Sequence, residues 1–419
     1  MVEAESSPAT RLQRLARRLV LGVLQRLQYG QLQVYEGDDY HVFGEAVAGV
    51  VVRVNVYRAR FYVRLLLGGT VGAGESYADG DWEPADLTAV VRLMIANRAV
   101  LEGLDNALLR SIKQRVEKTV HRRNANTRTG SRRNIAAHYD LSNEFFQLWL
   151  DARMMYSSAV FASGAVDLDA ASEAKLGRLC ELLALEPGEH LLEIGTGWGG
   201  LAIYAAQQHG VRVTTTTISA AQFEEAQRRI AAAGLEQQIT VLLKDYRDLD
   251  GTYDKAVSVE MVEAVGDGFL DGYFQQVASL LRPGGRFVMQ AITIADQRYR
   301  AALREVDFIK KHIFPGSFIP SVTRLCEAAR TTPSLRLVRL DDIGLDYART
   351  LRCWSENFAA VREQLLELGF DERFQRLWQF YFSYCEGGFL ERAISDVHLV
   401  FDAEPPALAV AGWSGDGRG

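Results

Sequence analysis

A run of glycines behind a single buried acid gives the first chemical lead. The stretch LLEIGTGWGG (191–200) sets Glu193 just ahead of Gly195, Gly197, Gly199 and Gly200, with Trp198 among them. Leu191, Leu192 and Ile194 predict a buried strand, and the LAIYAA that follows predicts a helix. The glycine turn between them opens on a helix N-terminus, where backbone N–H groups can approach a polar ligand closely. The same pattern also makes a tight turn that holds nothing. A dinucleotide would need GxGxxG and an acid about 20 residues on, at the end of the second strand, for its ribose. Here that strand ends in Thr214 to Thr217 without a carboxylate. S-Adenosylmethionine suits the arrangement better: its amino-acid end carries an ammonium and a carboxylate, and the carboxylate can take N–H groups of the turn. Trp198 is either a packing anchor or a wall of that site.

The elements that must position this turn follow from periodicity. HLLEIG (190–195), VRVTTTT (211–217), ITVLLKD (239–245), YDKAVSVE (253–260) and RFVMQAITI (286–294) read as strands. Helices are expected at 199–208, from Ser219 as N-cap, and near 270–281, with a turn at RPGG (282–285). Strand and helix alternate, which predicts an α/β, doubly wound domain with ligands outside the carboxyl ends of its strands. The segment 300–395 reads as helix-rich and lies over that edge. Upstream, Val52, Val54 and Val56 alternate with polar residues as a strand, and FYVRLLL (61–67) reads as a second. The glycine-rich 68–82 reads as a connection, and a helix is expected near 86–105. This makes a smaller N-terminal α+β unit.

Composition narrows the classes. The chain has 419 residues, 48% apolar and 24% charged, an ordinary globular balance. No apolar run is long enough to span a membrane. Cys180, Cys326, Cys353 and Cys385 are scattered, so no disulfide framework and no metal site is expected, and a reducing cytoplasm is the default. The net charge of −6 hides a basic stretch: nine Lys or Arg against one acid from Arg110 to Arg133. Few aromatics interleave there, so nucleic acid is not the expected partner. Residues 11–28 place Leu12, Leu15, Leu19, Val23 and Leu27 at helical spacing among arginines. Such a helix either docks on its own domain or lies in a membrane interface.

Distributed blocks then point to a family. HYDLSNEFFQLWLDARMMYSSAVF (138–161), LLEIGTGWGGLA (191–202), TISAAQ (217–222), DYRDL (245–249), SVEMVEAVG (258–266), FIKKHIFPGSFIPSV (308–322) and YCEGGF (384–389) stand in one order. Together they resemble the cyclopropane fatty acid synthases, which include the mycolic acid cyclopropane synthases. The amphipathic start and LGGTVGAGESYADGDW resemble the N-terminal domain of the full-length bacterial enzymes. The resemblance implies a Rossmann-like methyltransferase domain over 138–405, a lipid-interacting domain over 1–112, a basic linker over 113–137 and a flexible tail over 406–419. It implies transfer of a methyl from S-adenosylmethionine to a cis double bond in a phospholipid acyl chain, giving a cyclopropane, by an enzyme held peripherally at the inner membrane surface. Cofactor contacts are implied at Tyr156, Ser157, Glu193, Gly195, Gly197, Trp198, Gly199, Thr217, Gln222, Tyr246 and Arg247. Thr217 and Gln222 would replace the missing ribose acid. The residues leave oligomeric state open, a homodimer included.

An alkene is a weak nucleophile, so the methyl must be held in line in a dry site. The resulting cation can be stabilised by aromatic faces; Tyr156, Phe161, Tyr299, Phe308, Phe314 and Tyr381 are the candidates. The resemblance implies a bound bicarbonate as the base, held by Glu263, Tyr347 and the backbone of Ile292. Three positions depart from the family pattern. Ser158 stands for the usual cysteine, Ala264 for a histidine and Gln290 for another. Ser158 and Gln290 can still donate to an anion, but neither supplies charge. If a proton leaves from elsewhere, or a hydride arrives, the product is a methylene- or methyl-branched chain instead. The rival classes are a methyltransferase for a soluble acceptor and a non-catalytic binding protein.

Overall fold

The computed structural model describes residues 9–46, 51–102, 141–161 and 164–404. The expected basic cluster 110–133, linker and tail lie outside those residues. Helix α1 (Arg11–Leu24) starts at a capping box between Thr10 and Gln13. It lies against a four-stranded sheet ordered β2-β1-β3-β4, in which β1 is Gln31–Glu36, β2 Asp39–Gly44, β3 Val51–Val56 and β4 Trp82–Pro84. The alternation at Val52, Val54 and Val56 is real: those three are buried and their neighbours face solvent.

The neighbouring expectation is corrected. FYVRLLL is no strand, and 68–78 is no loop; both belong to helix α2 (Arg60–Ala78), which kinks at Gly69 where φ is 53°. Phe61 and Tyr62 are both buried, as neighbours on a broad helical face can be. α3 (Leu87–Ala96) follows, within the segment expected to be helical.

The larger sheet has seven strands in the order β10-β11-β9-β8-β5-β6-β7. α4 (Leu168–Leu183) leads into β5 (His190–Ile194), α5 (Gly200–His209), β6 (Arg212–Thr217), α6 (Ala220–Ala232), β7 (Ile239–Leu243) and β8 (Tyr253–Val259). Then come α7 (Leu270–Leu280) and β9 (Leu281–Ile294). β5 pairs in parallel with both β6 and β8, so the chain winds outward in both directions from it. This is the doubly wound arrangement, and it puts the mouth of the sheet at the end of β5. Ser219 caps α6 as expected, accepting from Gln222 N. The strand of 286–294 begins earlier than expected, because Leu281 already pairs with Tyr253 across an irregularity that absorbs the RPGG turn.

The segment 300–395 carries α8 (Phe308–His312), α9 (Gly344–Ala360) and α10 (Glu372–Leu390), but also a strand, β10 (Leu335–Asp342). β10 and β11 (Ile394–Ala403) extend the sheet antiparallel from β9, which makes it a mixed sheet. Their residues alternate too weakly to be read, since β10 exposes most of its side chains. α9 and α10 bury a cluster of rings with Phe145, Phe146 and Trp149. That cluster is continuous with the apolar core under α1 and the four-stranded sheet, so one core joins the two units.

Candidate active site

The turn after β5 has the geometry its glycines imply. Gly195 and Gly199 adopt φ of 106° and 85°, values that a side chain would resist. Gly199 sits at the N-cap of α5 and donates to Thr196 O, so it shapes the turn without lining the site. Glu193, Gly195, Gly197, Trp198, Thr217, Gln222, Tyr246, Arg247, Tyr156 and Ser157 all border one cavity of about 1240 Å³. The remaining assigned cofactor contacts are therefore brought together. Glu193 is buried and its Oε2 has no hydrogen-bond partner. Burial pushes its carboxyl up to about 8. A cationic ligand end would satisfy that orphaned oxygen. S-Adenosylmethionine fits this site: Glu193 and the glycine turn are the groups that would hold its amino-acid end. When bound it supplies an electrophilic sulfonium methyl.

The remaining contacts are more fully engaged. Thr217 Oγ1 donates to Gln222 Oε1 at 2.9 Å, which joins the two residues expected to face the ribose. Arg247 pairs with Asp245 and packs its guanidinium 5.4 Å from the centroid of the Tyr246 ring. Trp198 plays both roles considered for it: it lines the cavity, and it packs on Phe146 while donating to Asn143. Of the aromatic candidates, Tyr156, Phe314 and Tyr381 line the cavity. The others do not: Phe161 lies under Arg349, Tyr299 bonds Asp267, and Phe308 packs on Phe380.

Beyond the turn the same cavity runs into apolar surface of the N-terminal unit, past Val20, Leu24, Leu65, Leu66, Val90 and Met94. Lys310 and Lys311 also border it, but each is held, Lys310 by two backbone carbonyls and Lys311 by Glu75.

The site expected to hold bicarbonate is filled by a residue the sequence reading missed. Glu260, directly after β8, accepts from Ser158 N and Gln290 Nε2, each at 2.8 Å, through Oε1. Its Oε2 accepts from Tyr347 OH at 2.6 Å. The fourth expected contact, Ile292 N, is taken by Glu263 Oε1 at 2.6 Å. Ser158 does not offer its hydroxyl, which turns away to Ala159 O. Gln290 is likewise spent: Nε2 also reaches Asp396, and Oε1 faces His398 Nε2. With the donors occupied and three acids facing one another, a bicarbonate does not fit among these residues, and that expectation is corrected. Its signal lay in SVEMVEAVG, where Glu260 stands three residues before Glu263.

The electrostatics of this cluster have a simple order. Burial raises both Glu260 and Asp396, and their mutual repulsion holds Asp396 higher. Glu260 has Tyr347 and Ser158 as donors to its charged form, and Lys175 nearby. The proton between them therefore rests on Asp396 and the charge on Glu260. Lys175 is fully buried, bonds Ser157 Oγ at 2.8 Å and supplies the balancing cation, although burial lowers it to about 8. Glu263 is pushed up to about 8 by burial and by Glu260, and its Oε2 has no partner.

Known proteins match this architecture. Residues 126–399 match the family model for mycolic acid cyclopropane synthetase. The tuberculostearic acid methyltransferase of Mycobacterium tuberculosis is 40% identical over 328 residues, 77% of this chain and 76% of that one. The cyclopropane-fatty-acyl-phospholipid synthase of Escherichia coli is 35% identical over 381 residues, 88% and 95% of the two chains. Among solved structures, a cyclopropane synthase of M. tuberculosis superposes with a TM-score of 0.61 at 27% identity, covering 65% of this chain and 98% of its own. A mycolic acid cyclopropane synthase complexed with SAH and CTAB gives 0.60 at 29% identity, with the same coverage. The glycine turn, the mixed sheet and these matches agree: the chain belongs to the mycolic acid cyclopropane synthetase family and is an S-adenosylmethionine-dependent methyltransferase.

Proposed function

We propose that this enzyme methylates a cis double bond in an acyl chain of a membrane phospholipid. The observation that carries the reading is the single cavity, which joins the cofactor turn to an apolar passage through the N-terminal unit. A methylene chain fits such a passage, and a small polar acceptor has no use for it. α1 supports a membrane as the source of the chain. Ala16, Val20 and Leu24 dock it on the protein, while Leu12, Leu15 and Leu19 remain 60%, 55% and 45% exposed beside Arg11, Arg14 and Arg18. Apolar residues flanked by cations suit a surface of anionic lipid at the cytoplasmic face. Among the described residues no helix is long and apolar enough to cross a membrane, so contact would be peripheral.

Within the site, Gly195 and Gly197 give the cofactor close backbone approach and Glu193 meets its cationic end. Tyr156, Phe314 and Tyr381 line the same cavity and are the rings available to stabilise the positive charge that develops. Two products are open to the cation. Loss of a proton from the new methyl closes a cyclopropane, as the name of the E. coli relative states for that enzyme. Loss from a neighbouring carbon leaves a branched chain with a double bond, and saturating it would need a hydride donor. The occupied anion site and the similarity to a tuberculostearic acid methyltransferase favour the branched product as the second reading. The test is release of demethylated cofactor with vesicles of cis-unsaturated phospholipid, of saturated phospholipid, or with soluble amines and phenols. Turnover confined to unsaturated vesicles is expected; equal rates on saturated lipid or soluble acceptors would overturn the reading. Proton NMR of the recovered chains then separates high-field cyclopropane signals from olefinic or branched-methyl ones.

A further inference from the structure

We propose that Glu260 is the base of the reaction, a resident carboxylate at the point where a separate anion would otherwise have to bind. The inference rests on methyl transfer to an alkene, because only that reaction leaves a proton to be removed. Its first support is positional. Glu260 borders the cavity together with Tyr347 and Glu263, whereas Ser158 and Gln290 are buried behind it as its hydrogen-bond donors. Both carboxylate oxygens are fixed by those donors and by Tyr347.

The second support is backbone strain. Glu260 adopts φ of 46°, one of few non-glycine residues in the described chain to do so. A non-glycine residue in the left-handed region persists where the surrounding structure over-determines it, and such residues cluster at active sites. The donation from Glu260 N to Gln290 O fixes that conformation and aims the carboxylate back into the cluster.

Other basic groups are worse placed. Glu263 retains its proton near neutral pH because burial and Glu260 raise it. Lys175 and His398 are buried and do not border the cavity. Tyr347 donates to Glu260, and Asp396 keeps the proton the pair shares. In the step itself, the alkene π pair forms the new carbon–carbon bond while the sulfur–carbon pair stays on sulfur. Glu260 then accepts a proton from the cationic chain, either from the new methyl or from an adjacent carbon. The electrons of the broken C–H bond close the ring or form a double bond. Glu260 leaves the step as a carboxylic acid, and no further oxidant or reductant is required.

The test compares wild type with Glu260→Gly and Glu260→Gln on cis-unsaturated vesicles, in buffer stripped of carbon dioxide and with bicarbonate or formate added back. Glycine accepts the local φ readily, so Glu260→Gly relieves the strain and opens a hole of carboxylate size. Wild-type turnover is expected to be unchanged, within about twofold, with or without bicarbonate. Both variants should lose about a hundredfold or more, the span of general base catalysis. Added bicarbonate or formate should restore Glu260→Gly at least about tenfold and leave Glu260→Gln, whose amide still fills the hole, unrestored. Line broadening of ¹³C-bicarbonate, read without turnover, should appear with Glu260→Gly and not with wild type. Overturning results are a wild type that stops when carbon dioxide is removed, a Glu260→Gln that keeps full turnover, or a wild-type product carrying CH₂ plus water, the mark of a cation captured by water. If Glu260→Gly fails to fold, the wild-type dependence and Glu260→Gln still decide. A wild type that transfers no methyl to any vesicle sinks the proposed function instead, and the bicarbonate titration then reads the anion site by itself.

Discussion

At the residue scale, Tyr347 holds the second oxygen of Glu260 with a 2.6 Å hydrogen bond from a buried phenol, stacked on Phe389. A hydrogen bond to a charged group contributes about 1.5–3 kcal/mol. Tyr347→Phe should therefore lower turnover about ten- to hundredfold, with cofactor affinity unchanged by calorimetry; weaker cofactor binding would move Tyr347 into the cofactor site. Glu263→Gln should also slow turnover and spare cofactor binding, because Glu263 contacts the backbone of Ile292 on β9, and β8 and β5 lie between that strand and β6, which carries Thr217 of the ribose pair. Much of this site was legible locally: Glu193, Gly195 and Trp198 fall in one decapeptide and one turn. Glu260 was not, because as the last residue of YDKAVSVE it reads as the polar end of a strand. Its partners Ser158, Gln290, Tyr347 and Asp396 come from four distant segments: strand register brings Gln290 and Asp396 to it, and the packing of α9 and of the segment before α4 brings Tyr347 and Ser158.

At the element scale, α2 shows how packing overrides local pattern. Its glycines suggested a loop, yet a Cβ at Gly74 would lie 2.5 Å from the ring of Phe308 on α8. Close approach between elements, not chain reversal, explains that glycine. Gly74→Ala should cost about 1–3 kcal/mol by overpacking, read as a lower denaturation midpoint at constant m-value; an unchanged midpoint would show that α8 is free to shift. α1 separates two kinds of leucine. Leu15→Glu with Leu19→Glu should weaken binding to anionic vesicles in a flotation assay while leaving the melting temperature alone. Leu24→Ala should cost about 2–5 kcal/mol, since Leu24 is buried in the core. Loss of stability in the first pair would make that face structural. The helical spacing along 11–28 was readable, but not which stripe would be covered. That depended on α2 and the small sheet, whose arrangement no local pattern gives.

At the scale of the whole molecule, the two units share one core and one cavity. Arg376 on α10 illustrates the join, lying 4.0 Å from the centroid of Tyr77 on α2 and pairing with Glu83. Shared burial also links stability to pH. Glu193 and Glu263 sit near 8 in the folded protein, against about 4.3 for a free glutamate. Acids raised in this way stabilise most below the free value, and the contribution is lost as pH rises through about 8. The melting temperature should therefore fall between about pH 6.5 and 8, and Glu263→Gln should flatten that fall; a melting temperature that rises over this range would mean these carboxyls are ionised in the folded state. The doubly wound order was legible because alternation of buried strands and helices dictates it, whereas β10 and β11 on its antiparallel edge were not. The most direct test of the whole account uses cofactor bearing a CD₃ group and vesicles of cis-unsaturated phospholipid. Fragmentation mass spectrometry of the recovered lipid then locates the label. Deuterium is expected on the acyl chain at the former double bond. Label in the headgroup, or none at all while the cofactor binds, would contradict it.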